Sequence, residues 1–259
     1  MAERAGTVLV EDRGPVRVIT LNRPAVRNAI DLELRHALAE AVEAADAAPG
    51  VRVVVLTGAG GAFCSGGDIS TMHRGPRHET AARAHAAQRV VRALWQMPKP
   101  ALAAVEGPAF GAGTALALAC DRVVAAEDAV FATTFTAVGL AGDMGIFASL
   151  PARVGAPRAR QMLMLGTRIK GSDAERVGLV DRVTAPGQAL AAALEDADRL
   201  AAGPPLALGV IKQMLSGEAR HPYAVLDLEI RNQTALWDTD DFAEGVAAFA
   251  EKRPPIFRG

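Results

Sequence analysis

Gly58-Ala59-Gly60-Gly61-Ala62-Phe63-Cys64-Ser65-Gly66-Gly67-Asp68-Ile69 is the stretch from which the fold can be read. It follows Val51 to Thr57, an apolar run rich in β-branched residues that has the pattern of a buried strand, and it precedes a more polar, helix-prone region. Glycine pairs alone mark only a turn. A second segment, Glu106-Gly107-Pro108-Ala109-Phe110-Gly111-Ala112-Gly113-Thr114, repeats the arrangement: it leaves the apolar strand Ala101 to Val105 and continues with helical character from Phe110 to Ala119. On its own it reads as a helix start whose small residues allow close packing. The pair says more than either loop. Two loops without bulky side chains, each at a strand's exit, let backbone amides approach a ligand, and helix N-termini add positive potential for an anion. A carbonyl that becomes an enolate needs paired donors of this kind, and losing one costs roughly 3 kcal/mol of transition-state stabilisation.

Outward from these loops, Thr7 to Val10 and Val16 to Leu21 flank Asp12-Arg13-Gly14 and predict a β-hairpin, ended by Asn22-Arg23-Pro24. From Asp31, an N-cap residue, Leu34, Leu38, Ala41, Val42 and Ala45 recur at helical spacing until Pro49-Gly50. Short strands are expected at Val123 to Ala125 and Val130 to Phe131. Successive ββα units of this sort define a mixed α/β architecture whose strand-end loops carry a site. After residue 187 only helices are expected: Gln188 to Ala202, Leu206 to Ser216, Tyr223 to Trp237 and Asp240 to Ala250, punctuated by Gly203-Pro204-Pro205 and His221-Pro222. The chain therefore divides into a core, residues 1–187, and a helical C-terminal region, residues 188–259, expected to pack on the core or on a neighbouring subunit.

Composition narrows the function classes. With 259 residues, half of them apolar, the chain can bury one sizeable core. A formal charge of −1 with interspersed signs gives no nucleic-acid track and no polybasic membrane anchor. The two cysteines, Cys64 and Cys120, form no CxxC pair and no Cys/His cluster at metal spacing, which fits a reducing compartment without structural zinc. Met1 to Gly6 is polar and small, and the apolar stretch Pro108 to Cys120 falls short of a membrane span. A cytoplasmic protein without membrane insertion is expected.

Ala62-Phe63-Cys64-Ser65-Gly66-Gly67-Asp68-Ile69 and Gly107-Pro108-Ala109-Phe110-Gly111-Ala112-Gly113 resemble the two oxyanion segments of the crotonase (enoyl-CoA hydratase/isomerase) superfamily. Arg27-Asn28-Ala29, Cys120-Asp121, Gly178-Leu179-Val180 with Val183, and the closing Phe249-Ala250-Glu251-Lys252-Arg253-Pro254-Pro255-Ile256-Phe257 match the family in the family's order. The resemblance covers nearly the whole chain. It implies a crotonase-like spiral of ββα units acting on an acyl-CoA thioester, with no cofactor beyond the coenzyme A of the substrate. It also implies a homotrimer or a dimer of trimers. By the same resemblance the N–H groups of Gly67 and Ala112 form the oxyanion hole. Arg27, Ala29, Ala62, Ser65, Gly66, Asp68 and Ile69 would line the coenzyme A path, with Gly111 and Phe135 beside the substrate. Phe249 and Lys252 would approach the nucleotide end, in one reading from a neighbouring subunit; a solvated charge for Arg27 and Lys252 and core packing for Phe249 are the alternatives.

The chain departs from the family's hydratases at two positions. The glutamates that position and activate water would fall at Ala115 and Phe135, and neither replacement exchanges a proton. Each missing acid or base removes roughly 10²- to 10⁴-fold of rate. One carboxylate remains in Val138-Gly139-Leu140-Ala141-Gly142-Asp143-Met144-Gly145-Ile146-Phe147, where Asp143 stands among apolar residues and glycines. It reads either as a helix N-cap or, at a position similar to that of an acid/base aspartate in some family isomerases, as a proton shuttle. Dehalogenases of the family carry a nucleophile there, but their supporting tryptophan would fall at Phe135, which lacks a donor. Apolar surroundings are expected to raise the pKa of Asp143. His73, His78 and His85 read as solvated, Ser65 lacks a nucleophile elbow, and Cys64 reads as a small buried thiol. The expected reaction is double-bond isomerisation of an enoyl-CoA by Asp143, with single-carboxylate hydration and non-catalytic acyl-CoA binding as alternatives. The acyl group, set by residues between Ser70 and Ala93, is left open.

Overall fold

The alternation near the start does form a hairpin: β1 (Val8–Arg13) and β2 (Val16–Leu21) pair antiparallel in a computed structural model that describes residues 6–216 and 221–259. Strand β1 runs through Asp12 and Arg13, which the sequence assigned to the turn, and Asp12 is held by Arg17 across the hairpin. The expectations for residues 1–5 lie outside the described residues. Asp31 caps α1 (Leu32–Ala47) by accepting the Leu34 N–H, and Leu34, Leu38, Val42 and Ala45 form its buried stripe. Strand β3 (Val53–Gly58) follows, then α2 (Arg77–Gln96).

The next turns of chain show the repeating unit. Strands β4 (Ala101–Val105) and β5 (Pro108–Phe110) precede α3 (Ala112–Leu118), and β6 (Arg122–Ala126) and β7 (Val130–Ala132) precede α4 (Ile146–Leu165). In each unit the longer strand joins a six-stranded sheet, completed by β9 (Arg182–Thr184) in the order β1-β2-β3-β4-β6-β9. The shorter strand joins a second sheet, β5-β7-β8, whose β8 (Ile169–Lys170) leads into α5 (Gly171–Ala174). All neighbours in the large sheet after β1 are parallel. This alternation between two sheets turns the ββα pattern into a spiral.

Two expectations need correction. Phe110 is a strand residue, and the helix begins only at Ala112. The sequence continued the helix back to Phe110 because a three-residue strand of a second sheet has no periodicity of its own. Helix α4 was not predicted as a helix because Pro151 and Pro157 interrupt its pattern; Gly155, at φ 72° and ψ 160°, divides it into two helical pieces.

The sheet's two faces bury different partners. One carries Ile19, Leu21, Leu56 and Ala103 against α1, α2 and α3. The other carries Val16, Val18, Val53, Val55 and Val124 against α6 (Ala189–Ala201), whose Ala189, Ala192, Ala193, Ala197 and Ala201 allow close approach. The proposed boundary at 187/188 thus falls just before a helix that packs directly on the sheet. Helices α7 (Pro205–Ser216), α8 (Pro222–Trp237) and α9 (Asp240–Glu251) complete the C-terminal region. The buried Lys212 anchors α7 to the core through Asp121 (2.8 Å) and the carbonyl of Lys99 (3.0 Å). No helix among the described residues is long and apolar enough to cross a membrane.

Candidate active site

The two glycine loops are laced together along their backbones. Phe63 N–H donates to Glu106 O (2.7 Å), Cys64 N–H to Pro108 O (3.0 Å) and Phe110 N–H to Cys64 O (2.9 Å). Gly67 in turn lies opposite Ile30, with Ile30 N–H on Gly66 O (2.7 Å) and Asp68 N–H on Ile30 O (2.9 Å). Such close approach requires glycine at specific points. A Cβ on Gly113 would lie 2.3 Å from Cys64 O, and one on Gly66, whose φ is +103°, would lie 2.8 Å from Phe110 O. The same Gly66 Cβ would be 3.9 Å from Ala112 N, so the two loops bring Gly67 and Ala112 to one place. Among the described residues no turn or loop carbonyl takes the N–H of either Gly67 or Ala112.

Asn28, a residue whose role the sequence did not reveal, holds the first loop in shape. It is fully buried with φ +57°; its Oδ1 accepts the Arg23 N–H (2.8 Å), and its Nδ2 donates to Ala59 O (2.9 Å) and Ala62 O (2.7 Å). On either side of it, Arg27 is exposed and Ala29 is buried. Ser65 N–H donates to Arg27 O (2.9 Å), and its hydroxyl donates to Val26 O (3.1 Å). The Asp68 carboxylate is taken up internally: a hydrogen bond from Ser70, then Arg23, hold it below the usual carboxylate range against its burial. Ile69 projects outward at 63 % exposure. Ala62 is buried beneath the same loop.

The carboxyl singled out in the sequence lies elsewhere. Asp143 does not cap α4; Gly145 occupies the cap position with no side-chain bond, so the N-cap reading is set aside. Its residue surface is open on one side, yet protein crowding around the carboxyl raises its pKa, opposed by the positive charge of Arg35. Phe135 links this loop to the second glycine loop. Cβ atoms on Gly111 and Gly142 would stand 3.8 and 3.5 Å from its ring, so the ring lies between the residue before Ala112 and the residue before Asp143. Ala115, at the other hydratase position, is fully buried on α3. Trp95 of α2 closes the far side, 2.7 Å from a Cβ built on Gly145.

The remaining candidates fall away from these atoms. Burial pushes the Cys64 thiol up to about 12, and its sulfur accepts the Gly66 N–H, so it acts as a packed neutral group. His73 and His85 are exposed. Phe249, 88 % exposed, and Lys252, which ends α9 in the left-handed conformation, lie on a helix that packs against α8 rather than beside the glycine loops.

Comparison with known proteins agrees with this geometry. The family described as enoyl-CoA hydratase/isomerase matches residues 11–259. A Rhodobacter capsulatus protein named "Probable enoyl-CoA hydratase" is 40 % identical over 255 residues, 98 % of each chain. The Escherichia coli 1,2-epoxyphenylacetyl-CoA isomerase is 35 % identical over 249 residues, 94 % of this chain and 95 % of that one. A crystal structure of an enoyl-CoA hydratase from Polaromonas sp. JS666 superimposes with a TM-score of 0.94 at 36 % identity, covering 98 % of this chain and 100 % of that one. The laced glycine loops, the two-sheet spiral and these matches together establish that the chain belongs to the enoyl-CoA hydratase/isomerase family of the crotonase superfamily.

Proposed function

We propose that this enzyme moves a carbon–carbon double bond within an enoyl-CoA thioester, with Asp143 as the acid/base. The Asp143 carboxylate takes a proton from C2 of a 3-enoyl thioester; the electron pair passes through the double bond and carbonyl to give a dienolate, and the same proton returns to C4. The N–H groups of Gly67 and Ala112 hold the developing oxyanion, worth roughly 3 kcal/mol per donor. The observation that carries this reading is an uncapped carboxyl at Asp143, with raised pKa, next to a site whose hydratase positions are Ala115 and Phe135. A raised pKa suits a group that must both accept and release a proton near neutrality. Coenzyme A would follow Arg27, Ala29, Ala62, Ser65, Gly66, Asp68 and Ile69, with Gly111 and Phe135 beside the acyl group.

The test is Asp143→Asn. It should bind acyl-CoA about as tightly as the parent and lose roughly 10²-fold or more in isomerisation. Unchanged exchange of substrate protons with deuterated water in the folded variant overturns the assignment. Turnover of matched 2-enoyl- and 3-enoyl-CoA thioesters by the parent separates isomerisation from single-carboxylate hydration.

Assembly as a trimer or dimer of trimers belongs to the same proposal. Tyr223, Ile230, Trp237 and Phe249 on α8 and α9 are between 62 % and 88 % exposed, an apolar area that a neighbouring subunit would cover. Phe249 and Lys252 would then reach a neighbour's nucleotide end. A monomer by light scattering at micromolar concentration contradicts this.

A further inference from the structure

Arg35 is a buried cation with an unanswered donor. It lies on the second turn of α1, the helix that starts where Ile30 pairs with Gly67, and it is only 4 % exposed. Its Nη1 donates to Arg83 O of α2 (2.9 Å). Its Nε is the one buried side-chain nitrogen or oxygen among the described residues with no hydrogen-bond partner. Arg83 in turn holds Thr71 through its carbonyl (3.3 Å) and hydroxyl (3.2 Å). The neighbouring Met72 lies over Gly67, its Cε 2.5 Å from where a Cβ would stand. Arg35 therefore joins α1 to α2 behind the segment, Thr71 and Met72, that covers Gly67. The charged groups that act on it are Asp143, Arg83 and Asp31.

From this placement, and resting on the acyl-CoA reading above, we infer that Arg35 is a specificity-determining contact that donates a hydrogen bond to a neutral oxygen, a ketone or hydroxyl, carried on the acyl chain beyond the thioester. A buried N–H left without an acceptor is costly, so a plain hydrocarbon chain beside it forfeits affinity that an oxygen would recover. A neutral acceptor fits better than a carboxylate. The charge of Asp143 already acts on the guanidinium, and a second anion there would repel the carboxylate that the reaction needs. The guanidinium's planar fork, rather than its charge alone, is what the oxygen uses.

Saturated thioesters test this without requiring turnover. Calorimetry on the intact enzyme would compare hexanoyl-CoA with 5-oxohexanoyl-CoA, 6-hydroxyhexanoyl-CoA and adipoyl-CoA. The expected result is that at least one of the two neutral oxygenated thioesters binds tenfold or more tightly than hexanoyl-CoA, and that adipoyl-CoA does not. In Arg35→Met this preference should vanish while hexanoyl-CoA binds within about threefold of the parent, a margin well under the 1.4 kcal/mol of a tenfold change. Arg35→Lys keeps the charge but lacks the fork; it should also lose the preference, and it serves if the methionine variant does not fold. Equal binding of hexanoyl-CoA and both neutral oxygenated thioesters by the parent, tightest binding of adipoyl-CoA, or a preference that survives in a folded Arg35 variant overturns the inference. Failure of every thioester to bind overturns the acyl-CoA reading with it. An Arg35-dependent preference in an enzyme whose Asp143→Asn variant exchanges protons normally supports Arg35 and removes Asp143 alone.

Discussion

Replacing Asn28 by alanine should cost more than any change on the exposed rim of the site, because this one side chain fixes the backbone of the first glycine loop. Three hydrogen bonds disappear: one from the Arg23 N–H and two to the carbonyls of Ala59 and Ala62, at 2.7 to 2.9 Å. With each worth about 1 kcal/mol net, their loss sums to about 3 kcal/mol. Asn28 also has φ +57°, which asparagine tolerates better than alanine, adding about 1 kcal/mol. The expected destabilisation is therefore about 4 kcal/mol, or a drop in melting temperature of roughly 8–16 °C for a chain of this size. Asn28→Gly separates the two contributions, since it loses the hydrogen bonds but relieves the backbone, and should cost about 3 kcal/mol. Urea unfolding reads the stability. Turnover measured well below the melting transition reads the site, and it should fall more than tenfold because Ala62 is part of the loop that presents Gly67. A folded Asn28→Ala protein within about 1 kcal/mol of the parent and with the parent's turnover would refute the clamp.

Two further outcomes follow from the same geometry. Gly113→Ala puts a methyl 2.3 Å from Cys64 O, so the two loops must separate; a cost of about 1–3 kcal/mol and a loss of turnover are expected, and a folded variant with unchanged turnover speaks against the lacing as the determinant of the donor pair. Asp143 makes stability depend on pH. Its native pKa is raised, so between the ordinary carboxylate value and the native value the folded state holds more protons than the unfolded one, and stability falls as pH rises through that window. Asp143→Asn should accordingly be more stable than the parent at neutral pH, with the difference shrinking below the ordinary carboxylate range. Urea unfolding at both pH values checks it, and a less stable asparagine variant at neutral pH contradicts the direction.

What the sequence made legible was what short-range patterns encode. The β-branched runs placed β2, β3 and β4, Asp31 marked the start of α1, and the paired glycines marked the loops that leave β3 and β4, because each depends on neighbours within a few residues. The second sheet was not legible: three-residue strands such as β5 and β7 acquire their identity from each other, across a parallel pairing of Pro108 to Val130, Ala109 to Phe131 and Phe110 to Ala132. The break in α4 hid in the same way, since Pro151, Gly155 and Pro157 read as punctuation until packing holds both pieces in place.

The site shows the same division. Asp143 could be singled out as an acid among apolar residues, but whether it capped a helix depended on which residue the chain chose for the cap, and Gly145, at φ +75°, takes that role. Arg35 carries a readable sign in the sequence. It falls in the buried stripe of α1, with Leu38, Ala39 and Val42 following it at spacings of three, four and seven. A cation at such a position must meet something on the opposing element, since burial lowers its pKa and disfavours the charge unless a partner restores it. The hydrogen-bond acceptor it meets is Arg83 O on α2, and the main favourable charge acting on it is Asp143, far along the chain, which only the spiral brings near. A charged residue on an apolar helical stripe and an acid stranded in an apolar loop are each weak signals alone; together, a buried guanidinium and a carboxyl open to solvent on one side mark one region of the fold, where the cation opposes the rise that crowding gives the Asp143 pKa.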